Sequence, residues 1–156
     1  MPEKLEGDLL ARGTKIAIVV SRFNDYITRQ LVEGAVDIYA RLGGDPAKLT
    51  IMHVPGAFEL PVAALNLARG GKFDAVICLG CVVKGATDHY DYVAGEAARG
   101  IARVGLDTGV PTIFGVITAE TMEQAIDRAG GKHGNQGAKA MFAAVEMANL
   151  FKKSKP

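Results

Sequence analysis

The chain has 156 residues, 49% of them hydrophobic, with 19 Gly, two Cys, three His and no Trp. A chain of this length can bury about 70% of its unfolded surface in one core, so a single domain over residues 1–156 is expected, without need of a disulfide or metal to hold it. Lys and Arg total 18 against 17 Asp and Glu, which leaves no overall field to draw nucleic acid. With no signal peptide and no apolar run near the ~20 residues of a membrane span, a cytoplasmic protein without membrane contact is expected.

Residues 1–12 stand outside the compact pattern as an N-terminal arm. The first strand signal is Lys15–Val20 (KIAIVV), near-continuously apolar as a strand covered on both faces must be. Ser21, Arg22, Phe23 and Asn24 follow it. Phe23 is an apolar ring where polar side chains are expected; it suits stacking on a planar heterocycle, or equally packing as a staple on the next helix. That helix is written in Ile27, Leu31, Ala35, Ile38 and Leu42, one apolar stripe.

The second strand signal is Leu49–Val54 (LTIMHV), with His53 inside it, where packing is the plain explanation. Gly56-Ala57-Phe58-Glu59-Leu60-Pro61 then turns into a helix, because Pro61 is tolerated only within a first turn. Glu59 at that start is stabilised by the helix dipole. Its reading as an acceptor for ligand hydroxyls needs support from elsewhere.

The third strand, Phe73–Leu79 (FDAVICL), closes on Cys78-Leu79-Gly80-Cys81. Residues three apart on a strand point to opposite faces, so this C-x-x-C is badly placed for a disulfide, and no other Cys or His pair stands at metal-ligand spacing. One buried small residue and one loop-edge residue are expected. A loop from Gly80 to His89 leads into the helical stripe Tyr90, Val93, Ala94, Ala97, Ile101 and Val104. Free N–H groups at that helix start form a natural anion site, Gly85-Ala86 allows a phosphate close to the backbone, and Thr87 adds a hydroxyl. The alternative is that Thr87 or Asp88 is an ordinary N-cap. His89, in the first turn beside this site, can shift a proton near neutral pH.

The fourth strand signal is Val110–Ile117 (VPTIFGVI). A T-x-x-Q capping box (Thr121, Gln124) opens a short helix with Met122, Ala125, Ile126 and Ala129 on one face, stopped by Gly130-Gly131. Arg128 near its end is favoured by the dipole or, alternatively, clamps phosphate. His133 falls in a Gly-rich loop. A last helix runs from about Gly137 to Phe151, and 152–156 is an exposed tail.

Strand and helix alternate throughout, so the strands should be parallel, the crossovers right-handed and the sheet sandwiched between helix layers. Ligands then sit beyond the carboxyl ends of the strands, where Ser21–Asn24, Pro55–Glu59, Gly80–His89 and Gly115–Thr118 converge. No Walker loop, G-x-G-x-x-G, activated Ser or Cys, or acidic metal cluster is present. The residues by themselves point to an enzyme that handles a small phosphorylated substrate by proton transfer.

The segments SRFND, VPGAFELP, LGCVVKGATDHYDYV, GVPTIFGVIT and AIDRAGGKHGNQG stand in the order and spacing of the lumazine synthase (6,7-dimethyl-8-ribityllumazine synthase) family, and the resemblance runs from about Gly7 to Leu150. It implies a flavodoxin-like α/β/α sandwich with a four-stranded parallel sheet, whose N-terminal segment can add to a neighbour's sheet. It also implies the penultimate step of riboflavin biosynthesis: 5-amino-6-(D-ribitylamino)uracil condenses with 3,4-dihydroxy-2-butanone 4-phosphate, releasing phosphate and water without metal or organic cofactor. Carried over, Phe23 stacks on the pyrimidine; Ala57, Phe58 and Glu59 hold the ribityl chain; Cys81, Val82 and Val83 meet the pyrimidine through backbone groups. Ala86, Thr87 and Arg128 bind the phosphate, His89 transfers protons and Phe114 closes the aromatic side.

In the family the pocket lies between subunits of a homopentamer, with Phe114 and Arg128 supplied by the neighbour, and such pentamers can build an icosahedral shell with riboflavin synthase as cargo. Three positions depart from the pattern: Gln136 where many members have Lys, Cys81 for a frequent Thr, and Lys84 for a frequent Arg; Lys132 or His133 would have to compensate for Gln136. Two rivals are an archaeal-type riboflavin synthase, which joins two lumazines, and a flavin- or lumazine-binding shell protein without turnover.

Overall fold

The computed structural model describes residues 1–155. Its elements are β1 (Ile16–Ser21), α1 (Asp25–Arg41), β2 (Thr50–Val54), α2 (Leu60–Arg69), β3 (Ala75–Val83), α3 (His89–Thr108), β4 (Thr112–Ala119), α4 (Met122–Asp127), β5 (Ala129–Gly131), β6 (Gly134–Asn135) and α5 (Gln136–Ser154). The four long strands pair in parallel in the order β2-β1-β3-β4. Alternation of side chains along β1 separates two cores. Ile16, Ile18 and Val20 face α1 and α5, against Leu31, Ala35, Met141 and Val145. Ala17 and Val19 face α2 and α3, against Leu60, Ala64, Ala97 and Ile101. The result is the expected three-layer, flavodoxin-like α/β/α sandwich.

Within the layer formed by α1 and α5, a small residue lets the helices approach closely. A methyl group on Gly137 would run into the carbonyl oxygen of Leu31, so α5 lies backbone to backbone on α1. Central strands β1 and β3 are buried almost throughout. The edge strand β2 departs from the expected two-sided cover, since Thr50, Ile51 and His53 are exposed; packing therefore does not account for His53.

Several boundaries differ from expectation. Gly80–Val83 is strand, not loop, because each residue keeps a partner in β4, from Gly80↔Val116 to Val83↔Ala119. Strand β4 likewise runs past the expected end at Ile117 to Ala119, with Thr118 and Ala119 paired to Val82 and Val83, and Cys81, expected at a loop edge, is 3% exposed inside the sheet. Helix α4 stops at Asp127, and Ala129 passes into an antiparallel hairpin with β6. Gly130 and Gly134 carry it at φ 113° and 81°, values that suit glycine. Met122 and Ile126, expected on a buried face, are exposed while Ala125 is buried.

Residues 152–154 of the expected tail are the last turn of α5; Pro156 lies outside the described residues. Lys152 Nζ donates to the Gly13 carbonyl (3.1 Å) and Lys153 Nζ to that of Glu6 (2.9 Å), while Asn149 Nδ2 donates to the carbonyls of Asp8 and Leu10 (2.7 and 2.9 Å). The arm is thus tied along its own α5 from residue 6 onward, with residues 1–5 exposed. Among the described residues no helix is long and apolar enough to cross a membrane.

Candidate functional site

The connection after β1 leads to one side of the sheet and that after β3 to the other, and the carboxyl ends of strands beside such a switch point frame a crevice. A cavity of about 710 Å³ opens there. Phe23 comes from the β1–α1 loop. Pro55 to Glu59 come from the loop and 3₁₀ turn after β2. Cys81, Val82 and Val83 form the end of β3. Gly85, Thr87, His89, Tyr90, Tyr92 and Val93 come from the β3–α3 loop and the first turns of α3.

The loops are tied to one another by backbone bonds. The N–H groups of Arg22 and Phe23 donate to the carbonyls of Val54 and Pro55 (2.8 and 3.0 Å), prolonging the β1–β2 ladder beyond the strands. Glu59 Oε1 accepts from the Gly56 N–H at 2.9 Å, so one carboxylate oxygen closes its own turn. The other has no hydrogen-bond partner among the described residues.

After the last rung of the ladder, Lys84 N–H to Ala119 carbonyl at 2.8 Å, the N–H groups of Gly85, Ala86, Thr87 and Asp88 find no acceptor among the described residues. Neither Thr87 nor Asp88 caps α3 well. Asp88 makes no side-chain cap bond, and Thr87 Oγ1 accepts from His89 N–H only at 3.4 Å, beyond ordinary hydrogen-bond length. The start of a 20-residue helix therefore presents unpaired donors and the positive end of its dipole. A Cβ on Gly85 would meet nothing within 4 Å, so space for a ligand is open beside the backbone.

Three rings surround the mouth: Phe23, Phe58 and Tyr92 are 72%, 56% and 70% exposed. A staple would be covered, so Phe23 is a free plate, not a packing residue. Charge is scarce in the cavity. No Lys or Arg lines it, and Glu59 and His89 are its ionisable members apart from the tyrosines and Cys81. The cysteines lie on opposite faces as expected, Cys78 toward α2 and α3 and Cys81 toward α1 and α5. Burial pushes their thiols up to about 12 and about 11, so neither supplies a thiolate nucleophile at neutral pH.

Of the residues singled out in the sequence, Phe23, Ala57, Phe58, Glu59, Cys81, Val82, Val83, Thr87 and His89 come together in this cavity. Ala86 sits between two lining residues without lining it. Phe114 and Arg128 are elsewhere in the chain: Phe114 is 46% exposed on the edge strand β4, and Arg128 follows α4, its Nη1 donating to the Gln124 carbonyl at 3.0 Å. Gln136 opens α5, and Lys132 and His133 are exposed in the hairpin. Tyr90, Tyr92 and Val93 were read only as helix residues, or not at all. Tyr92 carried the signal that flagged Phe23, a large ring off the apolar stripe at the rim. Among the described residues no three His, Cys, Asp or Glu side chains gather as a metal set.

A family model described as 6,7-dimethyl-8-ribityllumazine synthase matches residues 13–152, a span that contains every wall of the cavity.

Proposed function

Since the chain belongs to the 6,7-dimethyl-8-ribityllumazine synthase family, transferases of riboflavin biosynthesis, we propose that it condenses 5-amino-6-(D-ribitylamino)uracil with 3,4-dihydroxy-2-butanone 4-phosphate, releasing phosphate and water. The observation that carries this reading is an exposed aromatic plate, Phe23, in one cavity with an uncapped helix start and His89. A planar heterocycle and a phosphate ester are the ligands those two features suit.

The pyrimidine stacks on Phe23 and is bordered by the backbone of Cys81, Val82 and Val83. Its ribityl chain runs along Ala57, Phe58 and Glu59, whose unpaired carboxylate oxygen accepts from hydroxyls. The butanone phosphate takes the free N–H groups from Gly85 to Asp88, including those of Ala86 and Thr87, with the Thr87 hydroxyl beside them. The 5-amine attacks the ketone and water leaves, giving an imine. Loss of a proton from the adjacent carbon expels phosphate with its electron pair. The enol becomes a carbonyl, and the ribitylamino nitrogen closes the ring with loss of a second water. Each step moves a proton within reach of the first turn of α3, the work assigned to His89. Holding two reactants side by side in the right orientation can be worth on the order of 7 to 11 kcal/mol, much of the acceleration an enzyme needs, and the reading assigns no metal or organic cofactor.

The cavity has neither Lys nor Arg. As the family resemblance implies, Arg128 and Phe114 are assigned to the neighbouring subunit of a homopentamer, where Arg128 completes the phosphate site and Phe114 closes the aromatic wall. An icosahedral shell of such pentamers, a riboflavin synthase cargo and a cytoplasmic location belong to the same reading. Supplying both substrates to the purified protein tests the activity; sedimentation tests the assembly, for which an isolated monomer would be the contrary result.

A further inference from the structure

Asn24 joins two walls of the cavity without lining it. It is the one non-glycine residue with positive φ among those described, at φ 61° and ψ 45°. That left-handed conformation is disfavoured for L-residues and tolerated best by Asn, Asp and Gly. Asn24 precedes α1 but does not cap it with its side chain; instead Nδ2 reaches across the rim and donates to the Cys81 carbonyl at 3.1 Å. The reason lies in strand lengths. Pairing of β1 with β3 ends at Val20↔Leu79, while β3 continues along β4 to Val83. On the side that β1 has left, the Cys81 carbonyl lacks a strand partner, and the Asn24 amide supplies the missing rung.

The same residue fixes its own loop. Its carbonyl accepts from Ile27 and Thr28 (2.9 and 3.1 Å), and the preceding Phe23 N–H is held by the Pro55 carbonyl at 3.0 Å. Phe23 is therefore clamped between a bond to the β2–α2 loop and, one residue later, a bond to β3. Its ring is otherwise free, 72% exposed. We infer that Asn24 is a positioning residue for the heterocyclic substrate: its bridge to the Cys81 carbonyl sets the gap between the Phe23 plate and the Cys81–Val83 backbone edge. The inference rests on the proposed function and deepens it. Substrate selection by ring then depends on a side chain that does not touch the ring.

The test uses the assembled full-length protein and 6-(D-ribitylamino)uracil lacking the 5-amine, a probe that cannot react. Asn24→Gly keeps the left-handed turn and removes the bridge. Asn24→Asp keeps the turn and the size but sets a carboxylate oxygen against the Cys81 carbonyl. Calorimetry should give about tenfold weaker probe binding for Asn24→Gly, the scale of one lost hydrogen bond, and a larger loss for Asn24→Asp. In steady state the KM for the aminopyrimidine should rise while that for butanone phosphate stays put, with a fall in thermal midpoint no larger than the loss of one internal hydrogen bond brings. Parent-like probe binding in both variants overturns the inference, as does a parallel shift of both KM values and the thermal midpoint, which marks a merely structural role. A parent protein that ignores the probe overturns the proposed function beneath it, a result distinguishable from either of these.

Discussion

If Arg128 works in its neighbour's cavity, two crippled variants should rescue each other. His89→Ala lacks the proton carrier and Arg128→Ala the phosphate clamp. Co-expressed in equal amounts, they mix at random in a ring. A given site is whole when the copy supplying the cavity is Arg128→Ala and the copy supplying the arginine is His89→Ala, so about one site in four is restored. The parents of the cross should be far below that level. Loss of a general acid–base group costs about 10²- to 10⁴-fold in kcat. Loss of charge-assisted phosphate bonds worth about 1.5–3 kcal/mol raises the butanone phosphate KM by roughly ten- to 150-fold. The arginine is suited to this test because its side chain makes a single hydrogen bond among the described residues, from Nη1 to the Gln124 carbonyl, so its removal should cost about 1 kcal/mol of stability at most. The assay follows lumazine absorbance at equal subunit concentration, with butanone phosphate held below its KM for the arginine variant. Activity no greater than the mean of the two pure variants would refute the shared site.

Two further outcomes concern the scaffold. Gly137→Ala should destabilise the chain by about 1–3 kcal/mol or more, since the added methyl meets the Leu31 carbonyl oxygen and neither backbone can yield; a thermal midpoint equal to that of the parent would contradict the backbone contact. The buried thiols predict an alkaline weakening. Folded, they titrate at about 12 and about 11, against an ordinary 9.0, so above pH 9 the unfolded chain holds fewer protons than the folded one and stability must fall. Their contribution is complete below about pH 9 and is lost as pH rises toward 11 and 12. Urea midpoints of the parent measured against Cys78→Ala/Cys81→Ala over pH 8 to 11 should show it, and a pH-independent difference would contradict it.

Strand number, parallel pairing and the two helix layers were legible because most strands are near-continuously apolar and α1 and α3 each carry one apolar stripe. Strand ends were not. Gly80-Cys81 reads locally as a turn, yet the pairing that keeps it in the sheet comes from Val116 and Ile117, more than thirty residues away. The β5–β6 hairpin is built on Ala129-Gly-Gly and Gly134-Asn, too short to show alternation. At the site, Phe23 and His89 were legible as residue types out of place at a rim. Asn24 was not, because an αL turn and a bridge across 57 positions leave no periodic trace. Phe114 came from family resemblance alone, and Arg128 was legible only as a helix-end cation with phosphate clamping as the alternative; nothing in the spacing of either brings it to the cavity.

The central claim is that an aminopyrimidine and a butanone phosphate react together in the cavity at the end of the sheet. Its most direct test is to mix the purified protein with both compounds and to follow the lumazine and inorganic phosphate produced. Lumazine and phosphate should appear in equal amounts, at a rate that saturates in each substrate and collapses in His89→Ala. Product formation no faster than in buffer, or a rate untouched by loss of His89, would contradict the account.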